Sequence, residues 1–180
     1  LCLVYTRFTG GGEDHNPADL AMRMSSDDGQ TWSEDKILVP NEGGQNVMSV
    51  SLRRLKSGEL LLFYLRKDTP LYDCNLFVRR STDELTTLSE AVRVTTLDGY
   101  HVTNNDRVIQ LSTGRLLAPA VMHTEFDEQG QKVVKGPVHE ADYSKFINQG
   151  IPFVYYSDDE GRSWKKDNTY IAPAAERKLT

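Results

Sequence analysis

The sequence has 180 residues, of which 38% are hydrophobic and 26% charged, and its formal net charge is −5. This balance is typical of a globular chain with a real core, which excludes an intrinsically disordered protein. The negative charge disfavours a nucleic-acid partner, whose phosphates require a basic face, but allows a few local arginines to hold a small anion. No apolar run approaches the length of about 18 residues that a transmembrane helix needs, so no membrane partner is expected.

The chain opens on Leu1 inside an apolar stretch, and no signal-peptide pattern precedes it. We therefore expect a piece of a longer protein, and its compartment stays open; a secreted or periplasmic location is compatible with the sequence. Cys2 and Cys74 lie 72 positions apart, which favours buried free thiols over a disulfide. The histidines show no metal-ligand spacing, so neither a metal nor another cofactor is predicted.

In chain order, short apolar runs alternate with turn signals about every 8–12 residues, which is typical of strands. After the apolar opening, residues 47–52 roughly alternate apolar and polar, and Lys56, Ser57 and Gly58 form a tight turn. Residues 60–65 are almost wholly apolar, as in a strand that is buried on both faces. Two further strands are predicted at 76–78 and 91–94, whereas helical periodicity is confined to 141–147.

Two segments, 25–32 and 157–164, share the pattern Ser-x-Asp-x-Gly-x-Thr/Ser-Trp. A worn copy at 81–88 keeps the Ser, the Asp and one Thr but has lost the Gly and the Trp. A second element, Ser/Thr-Gly-x-Leu-Leu, occurs at 57–61 and again at 113–117, an interval of 56 residues that also separates the first two copies of the motif. The residues that define the full copies are Ser25, Asp27, Gly29, Trp32, Ser157, Asp159, Gly161 and Trp164.

A repeat of four strands and about 40–60 residues is the signature of a propeller blade. The predicted fold class is therefore all-β, a β-propeller fragment of about three four-stranded blades that occupies residues 1–180. The approximate blades are 1–44, 45–98 and 99–180. The last interval between motif copies is 76 residues, which indicates an insertion at 123–149.

Each residue type in the motif has a structural reason. In a hairpin between the third and fourth strands of a blade, Ser and Asp side chains bond the loop's own backbone. The glycines supply a positive φ, and the tryptophan rings are expected to lie buried between neighbouring sheets. The alternative, that Asp27 and Asp159 are catalytic or bind calcium, is disfavoured because the loop holds too few acidic oxygens for six to eight ligands.

The motif resembles the Asp-box, or BNR repeat, of sialidases, although non-enzymatic propellers also carry it. Two further segments strengthen the resemblance: 106–120 is similar to a strand pair in bacterial sialidases, and 5–15 to the loop that presents their acid/base aspartate. The resemblance implies a six-bladed propeller, an arginine triad, a tyrosine nucleophile activated by a glutamate, and an aspartic acid that protonates the leaving oxygen. Only the aspartic acid, Asp14, is expected within this chain, so the isolated chain is expected to be inactive.

The resemblance makes Asp14 the acid/base candidate, and the residue lies in a Gly-rich loop after a buried strand, eleven positions before the first Asp-box. It could instead be a solvated loop acid, as could Glu13 and Asp19. Arg7 and Arg66 end equivalent strands, where they could bind a substrate carboxylate or pair with neighbouring acids.

Three more residues, Asn104, Asn105 and Arg107, precede a strand and are expected to face the central funnel, where they could bind sugar hydroxyls. The predicted function is a sialidase-like exo-glycoside hydrolase fragment, which acts on a terminal sialic acid or a related sugar in the full-length parent. The alternative is a non-catalytic Asp-box propeller that binds glycan or protein. The expected partner is a glycan or small sugar, and the open blade faces invite self-association.

Overall fold

The structure is a computed structural model, and it describes residues 1–123 and 150–168. These residues form twelve strands and contain no helix. The predicted insertion and the helical pattern at 141–147 therefore lie almost wholly outside the described residues. The strands are β1 (Cys2–Phe8), β2 (Ala18–Met24), β3 (Lys36–Val39), β4 (Asn46–Arg54), β5 (Leu60–Lys67), β6 (Cys74–Ser81), β7 (Val92–Arg93), β8 (Tyr100–Val102), β9 (Ile109–Gln110), β10 (Leu116–His123), β11 (Gly150–Ser157) and β12 (Lys165–Lys166).

The strands form three antiparallel units that follow one another along the chain. The first unit is β1-β2-β3, and the second is β4-β5-β6-β7. In the third unit, β8 and β9 pair along the same edge of β10, which continues to β11 and β12. A single parallel bridge between Cys74 and Tyr100 joins the second and third units. The all-β fold class with partial propeller blades is thereby confirmed, while the blade boundaries stay a prediction.

The core lies between the units, with β5 at its centre. One face of β5 presents Leu61, Phe63 and Leu65 to a cluster that includes Tyr155 and Trp164 of the third unit. The other face presents Leu62 and Tyr64, which pack in a cluster with Leu20 and Val39 of the first unit. Residues 60–65 are all buried, as predicted from their unbroken apolar run. Because each fully buried large apolar side chain contributes roughly 1.5–3 kcal/mol, this strand ties the units together.

The first strand of the second unit and that of the third unit are both interrupted near their middle. In β4 the register shifts between Met48 and Ser51, and Ser49 has a φ of 55°, which explains the imperfect alternation of residues 47–52. In the third unit the break is larger, because residues 103–108 form a loop between β8 and β9. This loop carries the predicted sugar-binding residues Asn104, Asn105 and Arg107.

The register places two kinds of loop at opposite ends of the blades. Leu60 of β5 pairs with Arg54 on one side and Ser81 on the other, so the β4–β5 turn and the Asp-box share one end, which we call the Asp-box edge. Lys67, at the far end of β5, pairs with Asn46 and Cys74. This opposite end also carries the loop 9–17 between β1 and β2, and we call it the loop edge.

All three motif copies have the same hydrogen bonds within their own loops. In each copy the Ser Oγ donates to the Asp Oδ1 at 2.7–2.8 Å, and the amide four residues after the Asp donates to the same carboxylate at 2.9 Å. The worn copy keeps this geometry although Leu85 replaces the glycine and adopts a φ of 64°. Hydrogen bonds from the Thr31 hydroxyl and then the Thr31 amide lower the pKa of Asp27 to about 2.

The two tryptophans differ in burial. Trp164 is 7% exposed and packs edge-on against Phe63 of the second unit, with ring centroids 5.8 Å apart, as predicted. Trp32 is 38% exposed, so the prediction that its ring is buried between sheets is wrong for the described residues. The reason is that Trp164 packs on the unit before its own, and no unit precedes the first in the described part of the chain. Similarly, Cys74 is a buried free thiol as predicted, but Cys2, the first residue of β1, is exposed.

Candidate active site

The loop 9–17 is closed by its own backbone. The Thr9 amide donates to the Pro17 carbonyl at 2.8 Å, and the Asn16 amide donates to the Glu13 carbonyl at 2.9 Å. The Asn16 side chain accepts from the Glu13 amide at 3.1 Å. A Cβ at Gly11, where φ is 140°, would collide with the Asn16 side chain, so this position requires glycine. The result is a tight turn that has Asp14 and His15 at its tip.

Asp14 is exposed at this tip, and its peptide group is anchored from below. Its carbonyl accepts a hydrogen bond from Asn46 Nδ2 at 2.9 Å and one from Lys67 Nζ at 3.3 Å. Asn46 Nδ2 also donates to the Asn16 carbonyl at 2.9 Å. The anchor therefore holds the backbone of the loop and leaves the Asp14 carboxyl at the surface, where a ligand could reach it.

Lys67 lies under the loop with only 2% of its surface exposed. Its Nζ is 2.8 Å from His15 Nδ1 and 5.4 Å from the centre of the Tyr100 ring. Burial lowers the pKa of Lys67, while interactions with the Cys74 thiol and the Asp14 carboxylate oppose that shift. Burial and then the Lys67 charge lower the pKa of His15. Burial also raises the pKa of Tyr100, and Cys74 and then Asp14 add to the effect.

The two strand-end arginines are paired with acids in this structure. Arg7 contacts Asp19 at 3.0 Å and Asp35 at 3.9 Å. Arg66 contacts Asp68 at 3.0 Å, and its guanidinium lies 4.3 Å from the centre of the Phe77 ring. Pairing with neighbouring acids was one of the two alternatives for these arginines. Binding of a substrate carboxylate stays a prediction, and it would require the arginines to exchange or share these partners.

Asn104, Asn105 and Arg107 are exposed in the loop 103–108. Asn104 and Arg107 line a cleft of about 380 Å³ whose walls come from β10 and β11. Within residues 1–123 and 150–168, no hydrogen bond or ion pair joins these three side chains to the loop 9–17. Their role as sugar-binding residues therefore stays a prediction.

A buried polar group lies in the third unit behind Tyr100. His101 is fully buried, and its Nε2 is 2.9 Å from the Tyr155 hydroxyl. Burial, and then the Arg93 charge, lowers the pKa of His101 to about 4, so the imidazole is neutral at pH 7. His101 therefore contributes to the core of the third unit and is a buried group whose protonation would oppose folding.

The sequence analysis did not identify Asn46 or Lys67 as site residues. The available signal was weak: a lysine closes a strand that is otherwise apolar, and an asparagine opens the strand beside it. Neither position belongs to the repeat, so spacing could not reveal them. Among the described residues, no group of three or more His, Cys, Asp or Glu side chains is arranged to hold a metal, and no helix is long and apolar enough to cross a membrane.

Comparison with known proteins gives a family and a fold. The family model of the BNR repeat-like domain matches residues 3–174. A comparison with curated protein sequences gave no match.

Many solved structures are similar to the chain, and three of them show the range. A Hadza microbial sialidase has a TM-score of 0.61 at 18% identity, over 93% of this chain and 34% of its own. A Trypanosoma rangeli sialidase has a TM-score of 0.60 at 16% identity, over 94% and 28% of the two chains. An α-L-arabinofuranosidase from Fusarium graminearum has a TM-score of 0.57 at 16% identity, over 92% and 45%. At these identities the likeness concerns the fold, and the chain spans less than half the length of each of the three.

Proposed function

The chain belongs to the BNR repeat-like domain family, and from this premise we propose that it is part of a sialidase-like exo-glycoside hydrolase. In the complete protein it would remove a terminal sialic acid or a related sugar. Asp14 would be the acid that protonates the glycosidic oxygen as the bond breaks, and it would later take a proton from water. The glycan is the expected partner.

One observation supports this role more than any other. Asp14 lies exposed at the tip of a loop whose backbone is held by two buried side chains, Asn46 and Lys67. A surface acid without a function needs no such support, whereas an acid that must meet one oxygen of a substrate needs a fixed position. The Asp-box acids differ, because their carboxylates are already occupied by donors of their own loops.

Other side chains of the loop edge would contribute to substrate binding. Arg7 and Arg66, at the ends of equivalent strands, would supply positive charge for the carboxylate that a sialic acid carries. Asn104, Asn105 and Arg107 would bind sugar hydroxyls in the complete propeller. Solved neighbours of the chain include a Trypanosoma rangeli sialidase with bound sialic acid and an arabinofuranosidase with an iminosugar inhibitor, which supports a sugar as the ligand class.

A second candidate function is a non-catalytic propeller that binds glycan. The observation in its favour is that Arg7 and Arg66 already have carboxylate partners, Asp19 and Asp68. A binding module needs hydroxyl contacts and stacking surfaces but no arginine reserved for a carboxylate.

The complete parent protein distinguishes these functions. We would incubate it with a sialyl-lactose and with arabinofuranosyl oligosaccharides, and identify released monosaccharides by mass spectrometry. The proposal predicts release of free sialic acid. Release of arabinose alone would show that the substrate is an arabinofuranoside and not a sialoside. Saturable glycan binding in calorimetry without any release would favour the non-catalytic alternative.

A further inference from the structure

Asn46 and Lys67, which we call the anchor of the loop 9–17, bind the backbone of Asp14 and not its side chain. Asn46 Nδ2 and Lys67 Nζ both donate to the Asp14 carbonyl, at 2.9 Å and 3.3 Å. Neither hydrogen bond uses the carboxyl group. The anchor thus fixes the position of the Asp14 backbone and leaves the carboxyl oxygens available to a ligand.

Both anchoring side chains are held in the interior, where each is costly. Lys67 is 2% exposed and Asn46 is fully buried. The Asn46 Oδ1 atom has no hydrogen-bond partner in the described part of the chain, so the side chain is used there only as a donor. A buried ammonium and a buried unsatisfied acceptor both oppose folding, and a group of this kind calls for an explanation beyond stability.

His15 makes the anchor sensitive to protonation. Its Nδ1 atom, 2.8 Å from Lys67 Nζ, can accept a hydrogen bond from the ammonium only while the imidazole is neutral. Burial is the largest cause of the lowered pKa of His15; among the charged groups of the described residues, Lys67 from β5 lowers it further, and Asp14 and Glu13 from its own loop raise it. A protonated His15 beside Lys67 would put two cations under the loop.

We propose that Lys67 and Asn46 are positioning residues that orient Asp14 for proton donation. The proposal rests on the function proposed above. Lys67 and Asn46 would act through the Asp14 peptide, because both hydrogen bonds end on its carbonyl. A displacement of about 1 Å at a catalytic group can cost roughly 10²-fold in rate, which sets the scale of the effect.

The test uses Lys67→Met in the complete parent protein, with Lys165→Met as the matched control. Lys165 is an exposed lysine on β12, away from the loop. For Lys67→Met we expect kcat on glycosides with poor leaving groups to fall roughly 10–100-fold at little change in KM. Aryl glycosides with an activated phenol, which need little protonation, should lose much less. The control should match the wild type on both substrates.

Two readouts do not depend on turnover. Amide hydrogen exchange within residues 9–17 should be faster in Lys67→Met, and the pKa of His15, followed by NMR, should rise towards its ordinary value. Neither should change in Lys165→Met. If the wild-type protein cleaves no glycoside, the proposed function fails. The two readouts would then still show whether Lys67 holds the loop 9–17 in place.

Asn46→Asp is the second variant, in case Lys67→Met does not fold. It keeps the size of the side chain but sets a carboxylate against the Asp14 and Asn16 carbonyls. Faster exchange of residues 9–17 together with a leaving-group-dependent loss of kcat supports the proposal. Unchanged exchange, or an equal loss on both substrate classes in both variants, overturns it, because an equal loss indicates a merely structural role.

Discussion

The two ends of the blades follow different rules. At the Asp-box edge, each loop satisfies its motif side chains by itself, and three copies repeat the same hydrogen bonds even where Gly and Trp have been lost. At the loop edge, the loops differ from unit to unit apart from the strand-end arginines Arg7 and Arg66, and side chains of one unit hold the backbone of another. The difference indicates that the repeated motif residues stabilise the fold. The loops that differ between units are the places where a functional site could form.

The largest expected effect concerns the Asp-box edge. Trp164→Ala should lower the free energy of unfolding of the chain by roughly 3–5 kcal/mol, because its buried ring packs on Phe63 of the neighbouring unit. Trp32→Ala is the matched control and should cost less than about 2 kcal/mol, since that ring is 38% exposed. Urea denaturation followed by circular dichroism measures both. Equal losses would show that the motif tryptophan acts within its loop and not between units.

The second effect is the loss of folding stability at acidic pH, which we expect to come from His101 and not from the Asp-box carboxylates. The folded pKa of His101 is about 4, below its ordinary value of 6.5, so the unfolded chain binds a proton that the folded chain excludes. This contribution to stability is complete above about pH 6.5 and is lost as the pH falls towards 4, by up to about 3 kcal/mol. The Asp-box carboxylates Asp27 and Asp159, whose pKa values lie at about 2, stay charged over this range.

The control for this effect is His101→Gln, which removes the titrating group. Between pH 7 and pH 4.5 the free energy of unfolding of this variant should fall less steeply than that of the wild type. The pH dependence of His15, whose pKa is also lowered, is common to both proteins and cancels in the comparison. Parallel curves for the two proteins would exclude His101 as the source.

The worn Asp-box gives a smaller effect. Leu85 is 2% exposed and has the positive φ that glycine has in the other copies. Leu85→Gly would relieve about 1 kcal/mol of backbone strain but lose the burial of a large side chain, so we expect a net loss of about 1–3 kcal/mol. Thermal denaturation of the variant and the wild type measures the net change in stability. A gain in stability would mean that the loop geometry, and not packing, dominates this copy.

The smallest expected effect is that of calcium. The Asp-box carboxylates accept hydrogen bonds from their own loops, and the described residues hold no cluster of acids arranged for a metal. Adding calcium at millimolar concentration should therefore leave the Tm of the chain unchanged within about 1 °C. A rise of several degrees would show that the loops bind the ion after all.

The contrast between the two ends also explains what the sequence could predict. The 56-residue spacing and the motif residues predicted strands, turns and the all-β propeller, because each blade repeats the same local chemistry. The double burial of β5 followed from its apolar run alone. The exposure of Trp32 did not follow, because burial at that position depends on a neighbouring unit and not on the motif.

The site was harder to predict for the same reason. Asp14 was predicted from the resemblance of residues 5–15 to the acid/base loop of sialidases, and its role stays a proposal. Asn46 and Lys67 were not predicted, because their importance comes from a tertiary contact over 32 and 53 residues of sequence. The loop 103–108 was predicted to hold sugar-binding residues, but its width follows from an irregularity in strand pairing that has no sequence signature.

The most direct test of the central claim compares three acids of the first unit in the complete parent protein, two from the loop edge and one from the Asp-box edge. Asp14→Asn should lower kcat on natural glycosides by roughly 10²–10⁴-fold and spare activated aryl glycosides, whereas Asp27→Asn and Glu13→Gln should leave the ratio of the two rates unchanged. The measurement is kcat on both substrate classes for all three variants. An equal loss on both classes for Asp14→Asn, or a selective loss for Glu13→Gln instead, would contradict the assignment of the proton donor to Asp14.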